Sequence, residues 1–559
     1  MEWLHGWLGL ILGFSGLIFI HELGHFLLAK WNGVKVHVFS LGWGPYIFSF
    51  TWRGTVYALS LIPIGGYVSM AGQSDTEVDD KPTKDPQDYR NKTVGQRAQI
   101  IAAGAIFNVA FTIFAFTMCF WWGMEIEPPR IGMISPDKPL AKATLLTDPN
   151  KPANLQEGDR IIEVNGVPVK SFLEAMLQIS ATPRNGEIEM RVERQAPVDG
   201  DRYAYVRVGV ERDKKIGAQN IGLNQYRMEM KLPLGFTTED KVVISDGWAK
   251  TIEKDPKEAE KSPAWQAGLK DGDELLRVGD QDVKTLDDMT LAAPRSKGEP
   301  TKIVIRRAGE IKEFTVKPRY DDEEGRHFFG IPTKPIKIVK EIDPNSEAAK
   351  QGLQKGHYVW RFDFTKRQKW VDKKLVVEGG TLSYSSSWDT PEKEFKKFDL
   401  EVPQHPKEGA LIYSELRKAG EFYQAENFGE ALSVAWGDTL RFSGSVFTVL
   451  RGLFTGDVSV KALSGGLGIG HAVYIVASDA PFLKFIWFLG FISLNLGVLQ
   501  FVPIPLLDGF HLVLLAIEKL KGSPVAAKVQ MTFQWVGILI VGSLILLATY
   551  NDITRIFLK

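Results

Sequence analysis

Four stretches of this chain are almost free of charged residues, and they constrain its fold more than any other feature. They are residues 7–29, 98–122, 485–507 and 529–550. Each is close to the ~20 apolar residues that cross a bilayer as a helix. The sequence therefore predicts a polytopic α-helical membrane protein with four transmembrane helices in a lipid bilayer.

Basic residues around these stretches orient the chain in the membrane. No Lys or Arg precedes Lys30, whereas the loops after the first and third stretches are basic. These loops contain Lys35, Arg53, Lys81, Lys84, Arg90 and Lys92, and then Lys519, Lys521 and Lys528. Because cytoplasmic loops are enriched in Lys and Arg, we expect both loops in the cytoplasm. Both termini and residues 123–484 would then lie outside, although Arg555 and Lys559 count weakly against this orientation.

Overall charge and cysteine content exclude two other classes. The 67 basic and 67 acidic residues give a formal net charge of zero, so we expect no nucleic-acid partner. The only cysteine, Cys119, lies within the second apolar stretch, so no disulfide stabilises the outer segment. That segment must fold around its own apolar core.

An internal repeat occupies the outer segment. Residues 154–166, 267–279 and 351–363 each contain a glycine turn that leads into an alternating strand. In the third copy, His357 replaces the Asp of the other two, and no second strand is clear. The pattern resembles PDZ domains, whose α+β fold binds an extended peptide as an added strand. Unrelated β-rich domains that share a turn are the alternative.

The repeat divides the chain into five predicted parts. The membrane parts are 1–126 and 428–559, and the PDZ-like domains are 127–231, 232–333 and a possible third, 334–427. The PDZ resemblance implies extracytoplasmic peptide ligands and a substrate filter outside the membrane. In the last part, residues 429–455 have the pattern of an amphipathic helix near the outer surface.

The first cytoplasmic loop is rich in β-forming residues. Residues 34–38 alternate, and the apolar runs 46–50 and 56–61 flank the turn Thr51-Trp-Arg-Gly-Thr55. We therefore expect a membrane-associated β-hairpin that dips into the bilayer boundary, where it meets protein or a wet cavity.

The first apolar stretch contains His21-Glu22-Leu23-Gly24-His25, an HExxH sequence near its inner end. On a helix, residues four apart share a face, so both imidazoles can reach one zinc ion while Glu22 addresses a water. A carboxylate inside a membrane helix costs about 2.5–3.5 kcal/mol on insertion scales, so three ionisable groups within five residues indicate a partner or a function. The alternative is an ion pair with polar residues of another helix.

Asp508 is the candidate third ligand. It follows the third apolar stretch, which runs in the same direction as the first, so all three candidate ligands reach the same membrane depth. Two His and one Asp leave a coordination position open for water, as in catalytic zinc sites. Pro503 and Pro505 break the helix before Asp508 and free backbone groups around the cleft. The alternative is a proline kink with an Asp that reaches the membrane surface.

These motifs together resemble the site-2 protease family of zinc intramembrane metalloproteases, of the bacterial RseP type. The resemblance covers nearly the whole chain. It rests on residues 21–25, 40–45, 63–68, 463–466 and 495–509, and on the PDZ-like domains between the second and third apolar stretches.

The resemblance implies the roles of individual residues. His21, His25 and Asp508 would bind zinc, and Glu22 would be the general base. The predicted substrate-binding residues are Asn495, Gln500, Pro503 and Pro505. The sequence departs from the family pattern at four positions, none of them a zinc ligand. Gln500 stands where Asn is usual, and the other three are Ala105, Gly466 and Phe510.

The resemblance also implies a biological setting. The protein would be a multi-pass enzyme of the bacterial inner membrane, with its active site near the cytoplasmic side. Its substrates would be single-pass membrane proteins, such as an anti-sigma factor already trimmed outside or remnant signal peptides, cut in regulated intramembrane proteolysis. An inactive PDZ-bearing scaffold and a zinc-handling membrane protein are the rivals. The intact HExxH and Asp508 argue against the first, and the scarcity of other His or acidic residues in the apolar stretches argues against the second.

Overall fold

Long apolar helices and short strands occupy different parts of the chain. Contacts divide the polypeptide into a helical unit, Met1–Glu125 with Tyr423–Lys559, and a sheet unit, Ile126–Phe422. The computed structural model describes residues 2–72, 85–183, 186–198, 201–212, 219–245, 262–321, 326–363, 368–371, 374–386, 394–404, 406, 410–418 and 420–557.

The α-helices are longest in the helical unit. They are α1 Glu2–Trp31, α2 Val94–Trp122, α3 Phe172–Ser180, α4 Pro263–Gln266, α5 Leu286–Arg295, α6 Glu347–Lys350, α7 Phe428–Thr455, α8 Gly466–Asp479, α9 Phe482–Gln500, α10 Asp508–Lys521 and α11 Ala527–Phe557. Short 3₁₀ turns occur at Tyr89–Asn91, Pro139–Lys142 and Val460–Ala462.

Among the described residues, five helical segments are long and apolar enough to cross a membrane. Four of them correspond to the four predicted stretches, and the fifth, Val460–Asp479, was not predicted. Its α-helical part, α8, has 14 residues. At 1.5 Å per residue, such a helix rises about 21 Å, less than the ~30 Å of a hydrocarbon core. By length, α8 alone is too short to span.

The third apolar stretch is not helical throughout. Helix α9 ends at Gln500, and residues 501–507 form an irregular link to α10. Pro503 and Pro505 have no backbone N–H, so this segment cannot extend the helical hydrogen-bond ladder. The apolar run to Leu507 predicted from sequence is therefore longer than the helix.

The loop between α1 and α2 forms a small sheet from two long, bent strands, β1 Val36–Trp52 and β2 Thr55–Met70. Residues 38–41 pair with both 66–69 and 56–59, and residues 46–52 pair back with 55–60. The sheet thus has four segments, and the predicted hairpin is only part of it. Gly42 and Gly44, at φ +89° and +91°, let β1 change direction. The predicted turn is present, with Arg53 and Gly54 both at positive φ, as a two-residue hairpin loop requires.

The remaining strands belong to the sheet unit or flank it. They are β3 Met124–Ile126, β4 Thr144–Leu145, β5 Arg160–Val164, β6 Val167–Pro168, β7 Glu187–Val198, β8 Asp201–Gly209, β9 Glu211–Arg212, β10 Gln219–Asn220, β11 Arg227–Leu232, β12 Phe236–Ile244, β13 Glu274–Val278, β14 Gln281–Asp282, β15 Thr301–Arg307, β16 Glu310–Val316, β17 Arg319–Asp321, β18 Arg326–Phe328, β19 Thr333–Ile342, β20 Tyr358–Asp363, β21 Gln368–Val371, β22 Lys374–Val377, β23 Gly379–Ser385, β24 Lys396–Glu401, β25 Tyr413–Lys418 and β26 Glu421–Tyr423.

The three sequence repeats share one backbone arrangement. In each, an apolar residue that precedes the glycine turn in the chain exchanges two backbone hydrogen bonds with that turn. The apolar residues are Ile131, Ile244 and Val339, and their partners are Gly158 with Asp159, Gly272 with Asp273, and Gly356 with His357. Each repeat also has its own buried apolar cluster.

The third repeat differs from the first two in its later part. Strand β23 pairs with β20. The interpretation from sequence that repeat three has no clear second strand is therefore wrong. Helices α3 and α5 follow the first strands of repeats one and two. In repeat three, the described residues between β20 and β23 form the hairpin β21–β22 instead.

Strand β19 joins the second and third repeats. It pairs along its length with β12 of the second repeat and, at Lys337 and Ile338, with β20 of the third. Both repeats therefore lie in one nine-stranded sheet, whereas the first repeat has a separate five-stranded sheet. The predicted boundary between residues 333 and 334 falls at the start of this shared strand.

Candidate metal centre

Helix α1 presents His21 and His25 on one face, one turn apart. Their Nε2 atoms lie 3.2 Å from each other, and both side chains are largely buried. Each of these nitrogens also lies close to the carboxylate of Asp508. The HExxH spacing thus places two imidazole nitrogens at one point, as the sequence predicts.

Helix α2 packs closely against this face of α1. A Cβ on Gly24 would lie 2.4 Å from the carbonyl oxygen of Ala103, and a Cβ on Gly104 would lie 2.4 Å from Nε2 of His25. Glycine at these positions lets the two backbones approach and leaves the space between the imidazoles open. The Nδ1–H of His25 donates to the carbonyl of Ile100 at 2.8 Å, which leaves its Nε2 lone pair free to bind a metal.

Asp508 enters at the first residue of α10. Its Oδ2 atom lies 3.5 Å from Nε2 of His21 and 3.4 Å from Nε2 of His25. This oxygen is buried and accepts no hydrogen bond from any residue that the structure describes. Two residues earlier, Leu506 has φ +83°, a conformation rare for a bulky side chain. Such strain is typical of functional sites.

The three candidate ligand atoms form a nearly equilateral triangle with edges of 3.2, 3.4 and 3.5 Å. A tetrahedral ion about 2.0–2.1 Å from each ligand requires ligand atoms about 3.3–3.4 Å apart. The triangle therefore fits a zinc ion held by two nitrogens and one oxygen. The buried Oδ2 without a hydrogen-bond partner would gain one in such an ion.

Glu22 lies beside the innermost segment of the small sheet. A Cβ on Gly66 would stand 3.6 Å from its Cγ and 2.9 Å from the carbonyl oxygen of Ser40. Residues 66–69 pair with 38–41 on one side, and no other described strand pairs with them on the other side. The unpaired strand edge of residues 66–69 thus lies beside Glu22, which neighbours the candidate ligand His21 in α1.

The other predicted site residues contact their own helices and loops. The Asn495 side chain donates to the Phe491 carbonyl at 2.7 Å. Oε1 of Gln500 accepts from the backbone N–H of Asp508 at 3.2 Å, so Gln500 supports the start of α10. Pro505 packs against Gly537 of α11, where a Cβ would lie 2.2 Å away. Pro503 lies in the same irregular link.

Two contacts of α2 were not identified as part of the site from sequence. Asn108, 1% exposed, brings its amide nitrogen to 3.3 Å from Nδ1 of His21. Arg97 and Glu518 form a largely buried ion pair at 2.5 Å that joins α2 to α10. A polar residue in an apolar span is a functional signal in itself, and Asn108 could have been found that way.

Comparisons with known proteins agree with this geometry. The chain is 27% identical over 552 residues to the regulator of sigma-E protease RseP of Salmonella typhimurium, covering 98% of each chain. It is 27% identical over 547 residues to protease RseP of Yersinia pestis, covering 97% and 96%. It is 26% identical over 554 residues to the regulator of sigma-E protease RseP of Escherichia coli, covering 98% of each.

The family comparison covers the membrane helices and the outer segment together. The resemblance to site-2 zinc metalloproteases stated from sequence is confirmed, and with it the expectation of a peptidase that uses zinc. Since the model of peptidase family M50 matches residues 9–544, the chain belongs to that family.

Proposed function

We propose that this protein is an intramembrane endopeptidase of the bacterial inner membrane that cuts the transmembrane segments of single-pass membrane proteins. The ligand triangle of His21, His25 and Asp508 carries this proposal, because its edges suit a tetrahedral zinc ion. Its position on α1 and at the start of α10 supports catalysis inside the membrane rather than in water.

In this proposal, Glu22 is the general base. Zinc, when bound, would acidify a water and polarise the scissile carbonyl. Glu22 lies on α1 between His21 and His25, and its carboxylate would take the proton of that water without being a ligand. It then returns the proton to the leaving amine, as one group can serve as base and acid in succession.

The substrate would bind as an added strand. A helix keeps its carbonyls hydrogen-bonded, so a transmembrane substrate must become extended before cleavage. Residues 66–69 offer an edge whose backbone groups can pair with such a segment, next to Glu22. The opposite end of the small sheet exposes Ile47, Phe48 and Trp52, which suits contact with the bilayer.

The sheet unit would act as a filter outside the membrane, and α1, α2, α9 and α11 would be the four spans. A large ectodomain on an intact substrate would collide with the three repeats, whereas a trimmed stub would pass. The names of the relatives suggest a substrate in sigma-factor control, such as an anti-sigma factor already cut outside. Remnant signal peptides are a second substrate class of the same chemistry, and the repeats would have peptide ligands of their own.

The test compares native protein with Glu22→Gln on a trimmed single-pass substrate in detergent or vesicles. Because the base is not a ligand, Glu22→Gln should keep its zinc while cleavage falls by about 10²–10⁴. His21→Ala and Asp508→Asn should bind zinc far more weakly and lose cleavage. Near-native cleavage by Glu22→Gln would refute the role of Glu22, and undiminished zinc in the other two variants would refute the ligand set.

A further inference from the structure

Asn108 is a buried polar residue of α2 whose side chain is only half satisfied. Its Nδ2 lies 3.3 Å from Nδ1 of His21, and its Oδ1 is buried with no hydrogen-bond partner among the described residues. Its backbone carbonyl is held by the hydroxyls of Thr112 at 3.0 Å and Ser493 at 3.1 Å. The residue is thus fixed in place while one strong acceptor atom remains unused.

The two histidines differ in what their Nδ1 atoms meet. Nδ1 of His25 faces a carbonyl, which can only accept, so this ring carries its hydrogen on Nδ1. Nδ1 of His21 faces a carboxamide, which can donate through nitrogen or accept through oxygen. His21 is therefore compatible with either neutral tautomer.

The two tautomers of His21 suit two states of the site. With hydrogen on Nε2, His21 can donate to Nε2 of His25, 3.2 Å away, and the Asn108 amide nitrogen donates to Nδ1. With hydrogen on Nδ1, the Nε2 lone pair is free for a metal, and Nδ1 needs an acceptor. A half-turn of the carboxamide exchanges its nitrogen and oxygen and supplies that acceptor.

We propose that Asn108 is a positioning residue that holds His21 in its metal-binding tautomer by accepting a hydrogen bond from Nδ1–H. This inference rests on the proposed zinc site. It assigns α2 the same task toward both ligands, through the Ile100 carbonyl for His25 and the Asn108 carboxamide for His21. Partners that orient a ligating histidine typically change metal affinity by 10–100-fold when removed.

The experiment measures the zinc affinity of the purified full-length chain by competition with a chelator of known affinity. Asn108→Leu keeps the branched shape of the side chain but has no acceptor, so we expect its zinc affinity to fall about 10–100-fold. Asn108→Asp keeps the acceptor and should stay within a few-fold of native. Thr117→Val, farther along α2, is the matched control, because the Thr117 hydroxyl donates to the Ile113 carbonyl within the same helix at 2.6 Å and does not touch Asn108, so affinity should be unchanged.

A double-mutant cycle tests whether Asn108 acts through His21. In a His21→Ala background, Asn108→Leu should have no further effect on the residual affinity. An equal loss in both backgrounds would overturn the proposal, and this result does not depend on whether Asn108→Asp folds.

Other outcomes separate this inference from the proposed function. Native affinity in Asn108→Leu would overturn it and assign the orienting role to the Gly104 carbonyl, which also faces the His21 ring. A folded Asn108→Asp as weak as Asn108→Leu would likewise overturn it. Native protein that binds no zinc would instead refute the proposed zinc site itself.

Discussion

The helical unit and the sheet unit bring distant residues together by opposite means. In the helical unit, three ligand atoms from α1 and α10 meet once, and glycines keep the space between them open. In the sheet unit, one backbone arrangement is built three times, each over its own apolar core. One added methyl group should therefore disrupt the candidate metal centre of the helical unit, whereas the repeats of the sheet unit tolerate a change of side chain.

The side chains at the glycine turns show that tolerance. In repeats one and two, carboxylates of Asp159 and Asp273 accept from backbone N–H groups three residues earlier. In repeat three, Nδ1 of His357 accepts from the N–H of Gln354 at 3.1 Å. The histidine that departs from the sequence pattern therefore makes the same local hydrogen bond with another atom type.

Among changes that leave the candidate zinc ligands and Glu22 intact, Gly104→Ala should have the largest effect. Its Cβ would lie 2.4 Å from Nε2 of His25 and 2.6 Å from Cε1 of His21, so at least one ring must move. A displacement of about 1 Å at reacting groups can cost on the order of 10²-fold in rate. We expect a comparable loss of cleavage together with weaker zinc binding, measured by substrate assay and metal analysis.

Gly16→Ala is the matched control for that substitution. It lies in α1, and a Cβ there would meet no heavy atom within 4 Å. Alanine is favoured over glycine in helix interiors by about 0.5–1 kcal/mol. This variant should keep native activity and zinc content. A loss equal to that of Gly104→Ala would show that the close contact at Gly104 does not explain the effect.

Removing the sheet unit should change selectivity rather than chemistry. In the filter proposal, full-length protein cuts a trimmed substrate at least about tenfold faster than its intact form, and deletion brings this ratio towards one. The deletion should span residues 127–421, because β11 and β25 pair with each other and must leave together. Strands β3 and β26 pair at the two ends, so a short linker can close the gap.

The effect of the deletion is measured as the cleavage rate of the trimmed and intact substrates and as the zinc content of the shortened protein. A deleted enzyme that binds zinc and still discriminates as the full chain does would contradict the filter. A deleted enzyme without zinc would show instead that the helical unit needs the sheet unit to hold its site.

A smaller effect, the pH dependence of stability at His357, distinguishes the third repeat from the first two. Burial and the charge of Lys396 lower the pKa of His357, whose neutral Nδ1 accepts from Gln354. The unfolded state then binds a proton more readily than the folded state. The contribution of His357 is therefore complete above its unfolded pKa of about 6.5 and is lost as pH falls below it.

We expect the third repeat to lose less than about 1 kcal/mol on acidification, since the ring is only partly buried. Hydrogen-exchange protection factors of residues 351–363, which correct for the pH dependence of intrinsic exchange, measure this at about pH 7.5 and about pH 5.5. His357→Asp is the control, because an ordinary Asp carboxyl has a pKa of about 3.9 and should abolish the difference between the two pH values. Equal protection factors in native protein at both values would contradict the prediction.

Much of the helical unit could be predicted from sequence because its signals are local. Apolar length identifies α1, α2, α9 and α11, and the spacing of His21 and His25 follows from helical periodicity. The three candidate ligands lie together as their predicted membrane depth requires.

The remainder depends on contacts between distant segments. The strand that folds back at Gly42 and Gly44 has the same β-forming composition as a straight hairpin, so the four-segment sheet could not be distinguished. The hydrogen bond of Gln500 to the Asp508 backbone and the approach of Asn108 to His21 depend on how helices pack, which periodicity does not specify. The sharing of β19 by two repeats could likewise not be predicted, because the sequence pattern of each repeat does not indicate a strand in common with the next.

That shared strand has a consequence for how the sheet unit opens. A strand that pairs with both β12 and β20 cannot detach from one without exposing a backbone edge, and exposed edges invite association with other chains. The second and third repeats should therefore unfold and refold as a single cooperative unit. The first repeat, which has its own sheet, should open independently of them. Removing the third repeat alone would leave β12 paired with β13 but would expose the edge that β19 covers, so we expect the last two repeats to be stable only as a pair.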